Sequence, residues 1–482
     1  MSNTIDPKEV SKVIEFLRDS ATSILGSALS NETLSAFYAG GAGGFPFNWQ
    51  DTTDPTQFNQ KTYDWIEKNL KGGSAPDYTH AEGDTFINEY ISAITAVGYH
   101  LSSSDQAQLT KDNQQTVEQA TALVNNWYHT WHSYPDQKGS TPLQKILKEI
   151  EMNWGPDGKT VSLYQMRQCP DLNSLLVNTP PDGYAILPLL ANWLAAADAS
   201  IGLMNSITMN GGYLTNAADG AKMPNKMNGG MLTNDGSGKY YPAYSVSPQM
   251  STIQNFMQGE SNKLEMSATI QRSSESEYKV NISSGVEVEI PVEDWFTAKV
   301  GANAHYFRDE IATSSNEVTM SLTYTGVNLV HFEPMPYSES ENQGWYFIQP
   351  IMDSIKNGEQ DVTGFKFSPN PNIDWSENGP FSFLSGVAIA NYPTVTITVK
   401  GSNYQSIATT FEQSVDTSFS FLGIPLGLDG SENTYSHSVT TNSTTETITI
   451  TLSPPKAMIG GVVNDSVAWV LGAVVEYPCS NI

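Results

Sequence analysis

The sequence predicts an α+β multidomain protein: an N-terminal α-helical bundle around a central apolar helix, followed by an antiparallel β-sandwich or prism-like C-terminal region. Three observations predict it. Apolar residues recur at helical spacing through the first half of the chain, one segment there is apolar around its whole circumference, and from Leu264 onward the apolar period drops to two. The boundaries that follow are 1–208 for the helical bundle, 209–262 for a Gly/Asn-rich junction and 263–482 for the β-rich part.

Asp6-Pro7-Lys8-Glu9 opens the first helix, with a capping aspartate, a proline at the first helical position and a glutamate three residues past the cap. Val10, Val13, Ile14, Leu17, Ala21 and Ile24 then form one apolar stripe. Ile87, Tyr90, Ile91, Ile94 and Val97 repeat the spacing in a second helix, and Val117, Ala120, Val124, Trp127, Tyr128 and Trp131 in a third. Ser140-Thr141-Pro142 starts a fourth, with Leu143, Ile146, Leu147, Ile150 and Trp154 on one face, and Gly155-Pro156-Asp157-Gly158 stops it. A short helical piece from Val161 to about Met166 continues it. The fifth helix, Tyr184 to Ile207, carries alanine and leucine all round, the pattern of a helix enclosed by others.

After it the chain changes character. Met209-Asn-Gly-Gly-Tyr-Leu-Thr-Asn216 recurs as Met227-Asn-Gly-Gly-Met-Leu-Thr-Asn234, and the glycine and asparagine content reads as paired short loops or hairpins rather than a duplicated ligand site. Leu264/Met266/Ala268/Ile270, Val286/Val288/Ile290, Val318/Met320/Leu322/Tyr324, Val395/Ile397/Val399 and Ile448/Ile450/Leu452 each alternate with polar residues, as half-buried strands do. Turn-rich segments such as Ser368 to Pro380 separate them.

A net charge of -27, from 51 acidic against 24 basic side chains, disfavours nucleic acid and anionic lipid as partners. Two cysteines, Cys169 and Cys479, are too few for a disulfide framework or a cysteine metal site, and one bridge between them stays open. No basic segment followed by an apolar run opens the chain, so no secretory signal peptide is expected. The run Tyr184 to Ile207 is interrupted by Pro188, Asn192, Asp198 and Asn205, which suits a buried helix better than a resting membrane span.

The stretch GYAILPLLANWLAAADASIGLMNSI, Gly183 to Ile207, resembles the central helix of the Cry-type δ-endotoxin N-terminal domain: an apolar run with a proline, then an aromatic, an alanine pair and a short polar residue, here Pro188, Trp193, Ala196, Ala197 and Asp198. Asn125 to Ile146 is similar to that domain's third helix, its turn and the start of its fourth helix, and Ala21 to Gly40 to its opening pair of helices. The resemblance covers about residues 7–208 and does not extend to the β half. It implies a pore-forming, insecticidal-type toxin, made soluble or as an inclusion and acting outside the cell at a host membrane. The β half would bind a surface receptor, protein or glycan, and the helical half would then insert as an oligomer. The inserting hairpin would run from Pro142 to about Trp154, presenting Ile146 and Ile150, and on through Tyr184 to Ile207, with Asn192, Asp198 and Asn205 facing one another or the pore water.

No phosphate loop, nucleophile elbow or zinc-protease motif appears, so no enzyme and no cofactor are expected. Gly40-Gly41-Ala42-Gly43-Gly44 follows a helix and lacks the lysine-serine pair of a nucleotide site. His129 and His132 sit three apart among aromatics and read as core or surface residues, so no metal is expected there. Asn370, Asn372 and Asp374 alternate as oxygen ligands of a calcium loop do, with Glu377 nearby, although the glycine and final glutamate of such a loop are misplaced. Glu287, Glu289, Glu293 and Asp294 read as a solvated acidic strand rather than a catalytic pair. Two alternatives to a helical pore remain. Phe421, Leu422, Ile424, Leu426 and Leu428 form an apolar tip between Ser/Thr-rich flanks within 409–452, the composition of an inserting β-hairpin. A lectin-like or self-assembling binding module without a pore could instead use Trp345, Tyr346 and Trp375 to stack on sugars.

Overall fold

The computed structural model describes residues 18–29, 34, 45–46, 57–71, 85–233, 237–259, 262–272, 277–282, 287–291, 296–298, 317–377, 379–401, 403–414, 419–421, 424–425, 435–455 and 467–482. The chain is an α+β protein of two compact units, one of Ile94–Thr215 with Ile348–Pro371, the other of the described parts of Met1–Ala93, Asn216–Phe347 and Asn372–Ile482. This division departs from boundaries at 208 and 262. Phe45–Pro46 and Gln57–Asn59 are strands that pair with Val467–Glu476 and Tyr240–Ser247, which draws early residues into the β unit. Strands of two or three residues carry no readable period, so long-range pairing alone reveals them.

The helical unit is built on α1 (Ser103–Trp131), α2 (Pro142–Asn153), α3 (Leu163–Gln168), α4 (Leu172–Leu175) and the first 29 residues of α5 (Leu187–Lys222), which continues into the β unit. The caps explain the boundaries. Thr141 and Gln144 form a reciprocal capping box with Pro142 at the first helical position of α2, and Ser162 with Gln165 does the same for α3. The start of α1 is held from a distant segment: Ser102 N donates to Thr363 Oγ1 at 2.8 Å and Ser103 N to Asp361 Oδ1 at 2.8 Å. The Ser103 backbone N–H, together with the Ser103 hydroxyl, also holds the Asp361 carboxyl below its usual range.

Ile146, Leu147 and Ile150 of α2 pack with Leu123 and Trp127 of α1, Met166 of α3 and Leu187, Leu190, Trp193, Leu194 and Ala197 of α5 in one core. The expected stripe of α1 is used in part. Trp127 is buried, whereas Val117 is 65% and Tyr128 49% exposed.

Among the described residues the β unit holds two seven-stranded antiparallel sheets. The first runs Phe45–Pro46, Val467–Glu476, Phe383–Ala390, Asn328–Pro334, Tyr240–Ser247 and Gln57–Asn59, with Gly230–Leu232 also on Tyr240–Ser247. The second runs Ser436–Asn442, Thr447–Ser453, Thr394–Lys400, Glu317–Tyr324, Leu264–Arg272, Glu277–Ile282 and Glu287–Pro291. Met266, Met320, Ile397 and Ile450 of the second share a core with Leu329, Ala388, Leu471 and Val474 of the first and with Phe411 of the helix Tyr404–Ser414. The alternating strands fall where their period places them. Phe383–Ala390, buried at every position, has no alternation to read because both its faces are covered.

A second packing centre gathers aromatic rings. Tyr63 stacks on Tyr244 at 4.4 Å, and Trp345 meets Tyr244 edge-on at 5.4 Å while its Nε1 donates to Ala243 O at 2.7 Å. Trp345 is 1% exposed, Tyr346 lies half-buried against Phe383, and Trp375 packs edge-on to Phe381 at 4.8 Å. Trp345 thus serves the core, while Tyr346 and Trp375 each give part of their surface to it.

The first copy of the repeat corrects the loop reading. Met209–Asn216 is continuous helix within α5, and the second copy passes through a 3-10 turn, Lys226–Asn228, into the strand Gly230–Leu232. The two copies share a sequence and not a conformation, because Ala217, Ala218 and Ala221 extend the helix past the first while Asn225 caps a turn before the second.

Candidate functional site

The residues singled out on the fourth and fifth predicted helices meet in the helical unit. Ile146 and Ile150 are fully buried, and Trp193 and Ala197 lie in the same core at 8% and 5% exposure. Pro188, Asn192 and Asp198 are exposed and Ala196 is half-buried. Helical spacing sorts α5 into two stripes: Leu187, Leu190, Trp193, Leu194, Ala197 and Ser200 face the core, while Pro188, Ala191, Asn192, Ala195, Asp198 and Gly202 are open. Enclosure on all sides is therefore met on one side alone, and 39% of the helix's most apolar eighteen-residue window is buried.

The open stripe forms one wall of a cleft of about 450 Å³, whose other wall includes Arg167, Cys169, Asp171 and Tyr184. Arg167 Nε lies 3.1 Å from Asp198 Oδ1, close enough for an ion pair, but off-line for a hydrogen bond. With 48% of the Asp198 side chain exposed, solvent screens the pair to about 1 kcal/mol or less. Trp193 Nε1 is buried without a hydrogen-bond partner, which costs about 1–3 kcal/mol. At the rim the Asp171 carboxyl is held below its usual range by the Asn173 side chain and backbone N–H groups that it accepts from.

Other candidates resolve differently. Asp374 Oδ1 accepts from Ser376 N at 3.0 Å and Ser376 Oγ at 2.7 Å, which holds the carboxyl low and closes its own turn. Asn370 and Asn372 fall on either side of the division between the units. His129 lies in the last turn of α1, and His132 caps it in the left-handed region. Among the described residues no group of three or more His, Cys, Asp or Glu side chains could hold a metal. Cys169 and Cys479 are both free thiols. Glu287 and Glu289 lie on the strand Glu287–Pro291, while Glu293, Asp294 and the glycine run from 40 to 44 are outside the described residues.

The segment of the β-hairpin alternative is described in part. Tyr404–Ser414 is a helix, because Ile407 and Phe411 are buried at an i, i+4 spacing against the sheet core, so the first Ser/Thr flank is not a strand throughout. Phe421 pairs with Ile424 in a short hairpin that extends Phe296–Ala298; Leu422, Leu426 and Leu428 are outside the described residues.

Sequence reasoning missed the face of the second sheet opposite its core. Thr269, Thr319, Thr398, Thr449 and Thr440 stand in register across five strands, and Ser267, Ser321, Thr396, Thr451 and Ser438 form a parallel row. The pattern T-x-T-x-T at 394–398 and 447–451 was the available signal, but a row exists only once register is known.

Fold and site together define an α+β protein in which a long apolar helix borders an open cleft on one side. No protein-family model, no curated protein and no solved structure matches the chain.

Proposed function

We propose that this protein is a non-enzymatic, toxin-like factor that binds a host cell surface and permeabilises the membrane by inserting α5 together with α2. The observation that carries the reading is the mismatch on α5: the one helix among the described residues long and apolar enough to cross a membrane leaves most of its apolar window outside the core. Its 36 residues span about 54 Å, against a hydrocarbon core of about 30 Å. The unpartnered buried N–H of Trp193 and an ion pair that solvent screens lower the cost of release. Asn192, Asp198 and Asn205 are all exposed, and in an inserted assembly such polar groups would meet one another or water.

Dye release from neutral liposomes and from vesicles bearing receptor-containing membranes tests this, with Asp198→Leu and Pro188→Ala alongside. Leakage altered by these variants supports it. Surface binding without leakage under any condition would leave a binding module in its place.

A second reading rests on the second sheet. Hydroxyl rows on one face and aliphatic rows on the other are the composition of a barrel wall, polar toward a lumen and apolar toward lipid. Leakage altered by substitutions at Thr398 and Thr449 but not on α5 would favour it.

A further inference from the structure

A second cleft of the helical unit, about 280 Å³, is lined by four aromatic rings, Trp127, Trp131, Tyr134 and Trp154, with Glu149 beside them and two prolines and a serine completing the wall. The rings are mutually braced. Trp127 stacks on Trp154 at 5.6 Å and 19°, and Trp131 lies 4.2 Å from Trp127 and meets Trp154 edge-on at 6.4 Å. Trp127 and Trp154 are buried at 5% and 2% exposure, whereas Tyr134 is 38% exposed, so a rigid floor carries an accessible rim. Gln137 Nε2 donates to Glu149 Oε2 at 2.8 Å and Asn153 Nδ2 to Oε1 at 2.9 Å, which fixes the carboxylate in place.

We propose that this cleft binds a quaternary ammonium group of the choline class. Aromatic faces present the negative side of their quadrupole to a cation, and a desolvated trimethylammonium needs such faces and a counter-charge rather than hydrogen bonds. The lining supplies both: Glu149 is its charged residue, no lysine, arginine or histidine is among the lining residues, and the chain carries a net charge of -27. A sugar is a poorer match. Most of the cleft wall is aromatic ring and proline, and the hydrogen-bonding groups beside them, the Ser133 and Tyr134 hydroxyls, the indole N–H groups and the remaining lone pairs of Glu149, are few for a polyhydroxylated ring. The volume lies near the lower end of ligand sites, about 300–1,000 Å³, which suits a compact head group. This inference stands on the helical unit's own geometry and holds whether or not the protein permeabilises membranes.

The test titrates the full-length chain with choline and with 3,3-dimethylbutanol, its uncharged carbon isostere, following tryptophan fluorescence and calorimetry. Choline should bind saturably and about tenfold or more tighter than the isostere. Glu149→Gln should weaken choline about tenfold without affecting the isostere, and Trp131→Ala should abolish binding while Trp131→Phe, which keeps a π face, retains part of it. Far-UV circular dichroism checks each variant's fold, and the choline-to-isostere ratio in the unmodified protein decides the matter should Trp131→Ala not fold. Equal affinity for the two ligands, no binding of choline, or binding untouched by both Glu149→Gln and Trp131→Ala would overturn the proposal. Flotation with phosphatidylcholine and with phosphatidylglycerol vesicles then assigns the source. Retention on the former alone points to a lipid head group; choline binding without retention points to a soluble trimethylammonium ligand.

Discussion

Arg167 Nε sits 3.1 Å from Asp198 Oδ1, tying the short helix α3 to the open face of α5. If α5 leaves the helical unit to enter a membrane, this pair must break first. Arg167→Ala should raise the initial rate of dye release by up to about fivefold while changing folding stability by no more than about 1 kcal/mol, the most that a screened pair supplies. Slower release from a stably folded variant would show that the pair promotes insertion instead of restraining it.

The two stripes of α5 should separate cleanly in denaturant unfolding. Leu190→Ala and Ile150→Ala remove fully buried aliphatic groups and should each destabilise by about 2–5 kcal/mol. Ala195→Ser on the open stripe should stay within about 0.5 kcal/mol of the unmodified chain. Comparable losses at both kinds of position would mean that the open face is covered in solution.

Gly211 and Gly212 lie inside α5, and a Cβ placed on either meets no atom within 4 Å. Alanine at each site should therefore stabilise by about 0.5–1 kcal/mol, since it lowers the entropy lost on forming the helix. A turn requiring positive φ would give the opposite sign, so the melting temperature of Gly211→Ala distinguishes the helix from the loop that the composition suggests.

Burial pushes the Cys479 thiol up to about 12 from an ordinary value of 9.0. The unfolded chain ionises this thiol first, so its contribution to stability is whole below about pH 9 and is lost as pH rises from 9 toward 12. At pH 8 iodoacetamide should modify the half-exposed Cys169 and spare Cys479, as read by peptide mass mapping. Labelling of both at equal rates in the folded protein would contradict the packing of the C-terminus.

What was legible in the sequence follows the reach of each signal. Thr141-Pro142 and the alternation of Val318, Met320, Leu322 and Tyr324 are local patterns, and both mark their elements correctly. The Met209 copy of the repeat looked like a loop because glycine and asparagine disfavour helices, yet the alanines after it carry the helix through. The fully buried strand Phe383–Ala390 depends on neighbouring strands dozens of residues away, and the pairing of Phe45–Pro46 with Val467 and Ala468 on a partner hundreds of residues away. The site divides in the same way. The apolarity of α5 could be read directly, whereas its open side, the hydroxyl rows and the aromatic cleft depend on tertiary packing.

The central claim is most directly tested by a polarity-sensitive probe on α5. In a Cys169→Ser background, Ala195→Cys carries the fluorophore nitrobenzoxadiazole on the open stripe, and its emission is followed together with dye release as vesicles are added. Insertion of α5 predicts a blue shift and rising intensity in step with leakage. Leakage with the probe still in a water-like environment would contradict insertion of this helix and move the membrane-active element elsewhere in the chain.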